Sequence, residues 1–569
     1  MLMLPNEMMV MRWGGQVVHS KPQGGKLACD MRMIGKAIST VTFWVFWDSP
    51  TTGTSAFIGL WLASAIEMAW HAMYHIDERL PRPLSSSRHN HALQTKGHVP
   101  GLETTLVACL ERIFKTKYGA SLIPEYMAFV QVGLKAKSQS VRCLACNTIA
   151  CLLDISGEET HAIELIIDYE IYPLLLDCVI DGNEQVATAS MEAIKKLAGF
   201  PKSIDIIFPA NNDEATHLGN LAARCSSLGR VRVLSLIVKL FSVSSSVASV
   251  ICNSNLLSLM EAGVSNTDDT LVTLSIMELL YELAEIQHGA EFLARTTLLQ
   301  LLCSIIGNSA METVLRSRAM MISGRLLSNE NARMFIDESS INTVISAIDG
   351  RLGFLESQDT DECESALEAL GQIGSSIQGA TSLLLGVPPA ARHVIDAAFD
   401  KQGGSKQLAA LHALANIAGE SRPEHNTILN SNAEESLRRL IYEVASRSSK
   451  LTPSGLFSSV LQQAAEIRLA GYRMITGLVV RPWCLMEICS KAGIIDIVTD
   501  ANTESTKIGM EARYNCCKAI HKAFISSKLI GDPTLAGIAG KLEEAVRRGP
   551  YLARKQYETQ PVVMTADRF

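Results

Sequence analysis

Along most of the chain, apolar residues recur at spacings of three and four, with short polar punctuation between runs. That is the period of a helix with one buried stripe. Four segments show it plainly: MEAIKKLAGF from Met191, MELLYELAEI from Met277, LEALGQIGSS from Leu367 and LHALANIAGE from Leu411. In each, apolar residues stand at i, i+3 and i+6, followed by a small residue and a polar turn. The third apolar position recurs at Leu152, Leu197, Leu240, Leu283, Leu326, Ile373, Ile417, Leu478 and Ile520, at intervals of 45, 43, 43, 43, 47, 44, 61 and 42 residues. Three residues before these anchors stand Ile149, Ile194, Ile237, Leu280, Ser323, Leu370, Leu414, Ile475 and Cys517, of which only Ser323 breaks the apolar rule. Six residues before them stand Cys146, Met191, Leu234, Met277, Met320, Leu367, Leu411, Tyr472 and Tyr514. Ile113, with Leu110 and Val107, fits one earlier unit. The 61-residue interval predicts an extra loop, and ASRSSKLTPSG from Ala445 is the segment that supplies it.

A helical period near 43 residues is that of armadillo/HEAT-like repeats, so the expected fold is an all-α right-handed solenoid from about Gly101 to the C-terminus. One helical pair cannot cover its own apolar face, and neighbouring repeats must stack to bury it. Leu283 and Leu414 are therefore expected in the core. Residues 1–100 differ: they hold five of the six Trp and lack the register. Their clearest apolar run, Ala56 to Ile66, has 11 residues, against the roughly 20 that a membrane span needs. No basic stretch leads into an apolar core as in a secretory leader. The Pro/Ser-rich segment Pro81 to His91 reads as a linker. The expected organisation is a divergent or poorly ordered extension with short helices over 1–100, of which residues 1 to about 90 are dispensable for stability and binding, and the repeat solenoid over 101–569.

Composition narrows the chemistry. Lys and Arg total 51 against 58 Asp and Glu, a net charge of −7, which argues against a chain that binds nucleic acid along its length. The 14 cysteines are scattered over apolar segments and read as buried free thiols in a reducing compartment. Cys143 and Cys146 form a lone CxxC with no second ligand pair, and His71 and His75 lack a third ligand, so neither reads as a metal site. The sequence contains no GxxxxGK[ST], GxSxG or HExxH, and no GxGxxG at a strand–helix junction. The expectation is a protein without catalysis, metal or cofactor.

A solenoid acts through a surface. The residue before each anchor leans about 100° from the core stripe and should line a concave groove. This ladder reads Cys151, Lys196, Lys239, Glu282, Arg325, Gln372, Asn416, Gly477 and Ala519. Four residues earlier stand Glu192, Ser235, Glu278, Met321, Glu368 and His412, and Arg473 lies on the neighbouring C-terminal repeat. The polar rungs could simply be each helix's solvated face. As a binding strip, their mixed signs suit a folded protein partner better than a polyanion.

Two resemblances bear on the partner. LANIAG, Leu414 to Gly419, is similar to the armadillo third-helix signature. Nuclear-import adaptors of that fold clamp extended basic peptides with a Trp and an Asn on successive third helices. Here only Asn416 stands at that rung, His412 occupies the Trp place, and no Trp falls between Trp70 and Trp483. At the C-terminal end, Gly477 to Ile520 resembles the proteasome non-ATPase regulatory subunit 5 family. Arg481-Pro482-Trp483, the segment Asp500 to Tyr514 and Gly549-Pro550-Tyr551 carry the likeness, with Lys115 to Met127 similar to plant-type members; it spans roughly Gly101 to Tyr551. The resemblance implies an α-solenoid chaperone for assembly of the proteasome regulatory particle base. Such a protein binds the C-terminal domain of an AAA ATPase subunit, meets other base subunits, and leaves before the particle matures. It implies a monomer outside the assembly complex, in the cytoplasm or also the nucleus, with no membrane or nucleic-acid partner. An armadillo-type interaction adaptor unrelated to the proteasome is the alternative. Pro482 is expected to open a helix, Trp483 to pack between repeats and Gly549 to stop the last helix.

Overall fold

A computed structural model describes residues 102–154, 159–209, 217–265, 269–355, 360–527 and 535–551. The expected extension over 1–100, with its Pro81–His91 linker and the His71/His75 pair, lies outside the described residues. Every regular element among the described residues is helical. Ten helices carry the sequence anchors: α1 (Leu102–Phe114), α2 (Gln139–Leu153), α3 (Glu184–Leu197), α4 (Ser227–Phe241), α5 (Thr270–Glu285), α6 (Thr313–Ser328), α7 (Thr360–Ile373), α8 (Ser405–Ala418), α9 (Ala465–Leu478) and α10 (Lys507–Ser526). The chain divides into two compact units, one ending at Leu256 and one beginning at Leu257. In the first, α1 to α4 pack each on the next; in the second, α5 to α10 do the same. Shorter helices between them complete each repeat. This is armadillo/HEAT-like solenoid packing.

Local chemistry starts and stops these helices. Ser138, Asn183, Ser226, Asp269 and Thr506 each accept a backbone N–H from the first turn of the helix they precede, satisfying donors that the helix cannot. At the end of α8, Gly419 takes φ +93°, and the N–H groups of Gly419 and Glu420 return to the Asn416 and Ala415 carbonyls at 2.9 and 3.0 Å. A residue with a Cβ would be strained there.

The register found in the sequence is the packing register. All nine anchors are buried, as are the nine residues three positions before them, Ser323 included. Leu283 and Leu414 have no exposed surface. Truncating either to Ala is expected to cost about 2–5 kcal/mol through lost transfer energy and the cavity left behind. Urea unfolding measures it, and wild-type midpoints for both variants would refute the register. The middle of the second unit is packed backbone-close. A Cβ on Gly371 would lie 2.7 Å from Ala413 Cα, and one on Gly324 would lie 2.9 Å from Ala369 Cα.

Three details depart from the sequence reading. The segment expected as a loop from Ala445 is mostly helix: Ala445 is buried inside Ser431–Arg447, and Pro453–Leu461 forms an additional helix. Thr452 caps it through the Gly455 N–H and Pro453 sits in its first turn, while Leu456, Phe457, Val460 and Leu461 bury its apolar side. Its Ser-rich lettering hid a sound N-terminal signal. Tyr514 is only half-buried, because its hydroxyl donates to the Val546 carbonyl of the last helix, Ala536–Arg548, at 3.3 Å. In the earliest unit Leu106, not Val107, is buried beside Leu110 and Ile113.

Candidate functional site

The ladder residues stand on the anchor helices, Cys151 to Gly477 within one turn of their C-terminal ends, because the anchors themselves are fixed by burial. In the first unit, Lys196 pairs with Asp154 of the preceding repeat at 2.5 Å. Lys239 is half-buried and Glu192 exposed.

In the second unit the rungs are tied to one another. Arg318 on α6 pairs with Glu278 on α5, and Arg325 pairs with Glu285. Arg325 also donates to the Tyr281 hydroxyl at 2.9 Å. The two guanidinium carbons lie 5.3 and 4.5 Å from the Tyr281 ring centre, which places two cations against one aromatic ring. On α7, Gln372 Nε2 donates to Glu368 at 3.4 Å, and its Oε1 is buried without a hydrogen bond. Arg473 on α9 gathers three partners: Glu420 at 2.6 Å, the side-chain Oδ1 of Asn416 at 2.6 Å and His412 Nδ1 at 3.2 Å. An arginine can only donate, so Nδ1 accepts and the proton of a neutral ring sits on Nε2. Burial and the adjacent Arg473 charge hold His412 below the ordinary imidazole range, which keeps that arrangement neutral. Arg325 and Arg473, both candidate partner contacts, are engaged within the chain. Gly477 is buried against Ala415, Ala418 and Glu420, so it offers no rung. Glu282 stays exposed, without a basic partner among the described residues.

Sequence reasoning missed Tyr281, Arg318, Glu285 and Glu420. The first three recur at helical spacing and could have been counted. Glu420 lies past the end of α8, where only the αL turn at Gly419 aims it at Arg473.

The segments that carried the C-terminal resemblance serve the packing. Arg481 is 2% exposed. It donates to both carboxylate oxygens of Glu434 at 2.6 and 2.9 Å, and to the Ala418 and Gly477 carbonyls at 3.0 and 2.8 Å. Pro482 opens the helix Pro482–Cys489. Trp483 packs against Tyr442 of the neighbouring repeat, ring centres 5.8 Å apart and planes tilted at 58°. Glu504 is buried and accepts from Arg468 and from the Tyr472 hydroxyl. Gly549 ends Ala536–Arg548 at φ +82°, and Tyr551 donates to Glu511. The 13 described cysteines are unbridged, and no group of three or more His, Cys, Asp or Glu among the described residues is placed to hold a metal. No described helix is by itself long and apolar enough to cross a membrane.

Stacked helical repeats define this as a helical-repeat protein. A family model described as "Proteasome non-ATPase 26S subunit" matches residues 101–565, and the chain belongs to that family. Among curated proteins, it is 21% identical over 473 residues to the 26S proteasome non-ATPase regulatory subunit 5 of Homo sapiens, covering 82% of this chain and 87% of that protein. The subunit 5 of Mus musculus is 22% identical over 469 residues, covering 81% and 86%. Among solved structures, importin beta aligns with a TM-score of 0.47 at 11% identity, over 92% of this chain and 68% of that one.

Proposed function

We propose that this chain is a non-catalytic chaperone in assembly of the proteasome regulatory particle base. It holds the C-terminal domain of an AAA ATPase subunit and is released before the particle matures. The observation that carries the reading is the family match over residues 101–565, which spans the repeat region from its first described helix onward. The surface is compatible with a transient grip. Its polar rungs remain solvated when unbound, and a polar interface of ordinary size can dissociate. The protein works in the cytoplasm or nucleus, where the particle is built, as a monomer outside the complex.

The test is direct. The full chain is titrated by calorimetry with the isolated C-terminal domain of each proteasomal base ATPase in turn. Saturable binding to one of them, together with absence of the chain from purified mature regulatory particle, is the expected result. No binding to any of these domains would overturn the reading.

A further inference from the structure

Resting on that reading, we propose where the second unit grips its partner and what the partner presents: an apolar rim and uncompensated carboxylates on α5, α6 and α7 take a segment carrying apolar side chains beside Lys or Arg.

The rim consists of residues that the fold does not use. Leu271, in the first turn of α5, is 75% exposed, and Val314, at the same place on α6, is 43% exposed. Both lie 12 residues before their anchors, Leu283 and Leu326. The same register position holds Leu228 in the first unit and Ile508 on α10, 60% and 72% exposed. One exposed leucine is ordinary. Recurrence at one position of the repeat, where burial contributes nothing, points outward to a partner. α5 and α6 pack side by side, and their first turns are linked by the Thr270 hydroxyl donating to Glu312 at 2.7 Å. The two side chains therefore share one edge.

The sign of the partner follows from which charges are already used. Eleven residues of helix turn through about three turns, so Leu271 and Glu282 lie on one face of α5, about 16 Å apart. Between and beside them, Arg318 is held by Glu278, and Arg325 by Glu285, with both guanidinium groups against the Tyr281 ring. Both cations of this stretch are thus neutralised within the chain. Among the described residues, the exposed Glu282 has no basic partner, and the exposed Glu368 on α7 has only the Gln372 amide. The surplus is negative and lies on the same face as the apolar edge, about three turns from it. A basic amphipathic segment satisfies both features, whereas a nucleic acid or an anionic membrane would meet like charge.

The experiment uses the full chain and the ATPase C-terminal domain to which wild type binds. Leu271→Asp/Val314→Asp removes the rim. Both changes fall in first turns, where the helix dipole favours a carboxylate, so the melting curve should stay unchanged. Glu282→Lys/Glu368→Lys reverses the surplus. Each pair is expected to weaken binding about tenfold or more, and the charge pair should also remove the salt dependence. Leu385→Asp/Val387→Asp, at exposed apolar positions outside α5 to α7, serves as control and should bind as wild type does. Full affinity for both test pairs, or an equal loss in the control, would overturn this surface and leave the ATPase reading standing. Failure of wild type to bind any ATPase domain would overturn both.

Discussion

Replacing Glu362 with Ala is expected to destabilise the second unit by about 3–5 kcal/mol, because it leaves buried charge without its partner. Glu362, on α7, has no exposed surface. Its two oxygens accept from Arg316 Nε and Nη2 of α6, both at 2.8 Å, and from Arg351 Nε and Nη2 of the helix Glu338–Leu355 at 2.9 and 3.2 Å. Two guanidinium forks thus converge on one carboxylate and join three elements of adjacent repeats. Burial pushes this carboxyl upward, but the hydrogen bonds and charges of Arg316 and Arg351 outweigh it and hold it below the ordinary glutamate range. The sign for pH follows: a folded-state value below the unfolded one gives a contribution complete above about pH 4.3, lost as pH falls through the depressed value. Urea unfolding of wild type and of Glu362→Gln across that range should show a shallower acid loss in the variant. Equal pH profiles would mean that the triad contributes nothing through charge.

Arg481→Met is expected to cost a similar 3–5 kcal/mol. The side chain fills its site, but Glu434 loses its bidentate partner and the Ala418 and Gly477 carbonyls lose their donor at the ends of α8 and α9. Unmet buried acceptors carry most of that cost. Arg481→Lys should recover only part of it, since an ammonium cannot span four acceptors in one plane. The measurement is the urea midpoint of both variants. Wild-type stability in Arg481→Met would remove the structural role.

Arg481 shows how motif and role can separate. The sequence supplied Arg481-Pro482-Trp483 as a likeness, with helix initiation and packing expected for Pro482 and Trp483, and both are found. It could not show that Arg481 would have its fork wrapped by a glutamate 47 residues earlier. The ladder was legible as positions and illegible as pairing. Arg325 and Glu282 look equivalent along the chain, yet one is occupied by Glu285 and Tyr281 while the other faces solvent. The apolar rim at Leu271 and Val314 was invisible for the opposite reason: in a helical pattern, an exposed leucine at a repeating position reads as one more core residue.

By itself the sequence determined the helical period, the anchor register and the absence of a recognisable catalytic motif. Burial of a stripe at i, i+3 and i+6 is a local geometric demand, and nine anchors repeating near one interval leave only stacked repeats to satisfy it. Tertiary structure alone decided which polar groups are consumed. Glu362 between Arg316 and Arg351, Arg473 among Glu420, Asn416 and His412, and Arg318 and Arg325 around Tyr281 are joined across repeats, tens of residues apart. A hydrogen bond depends on ångström-scale placement between neighbouring helices, and no spacing along a single helix encodes that distance.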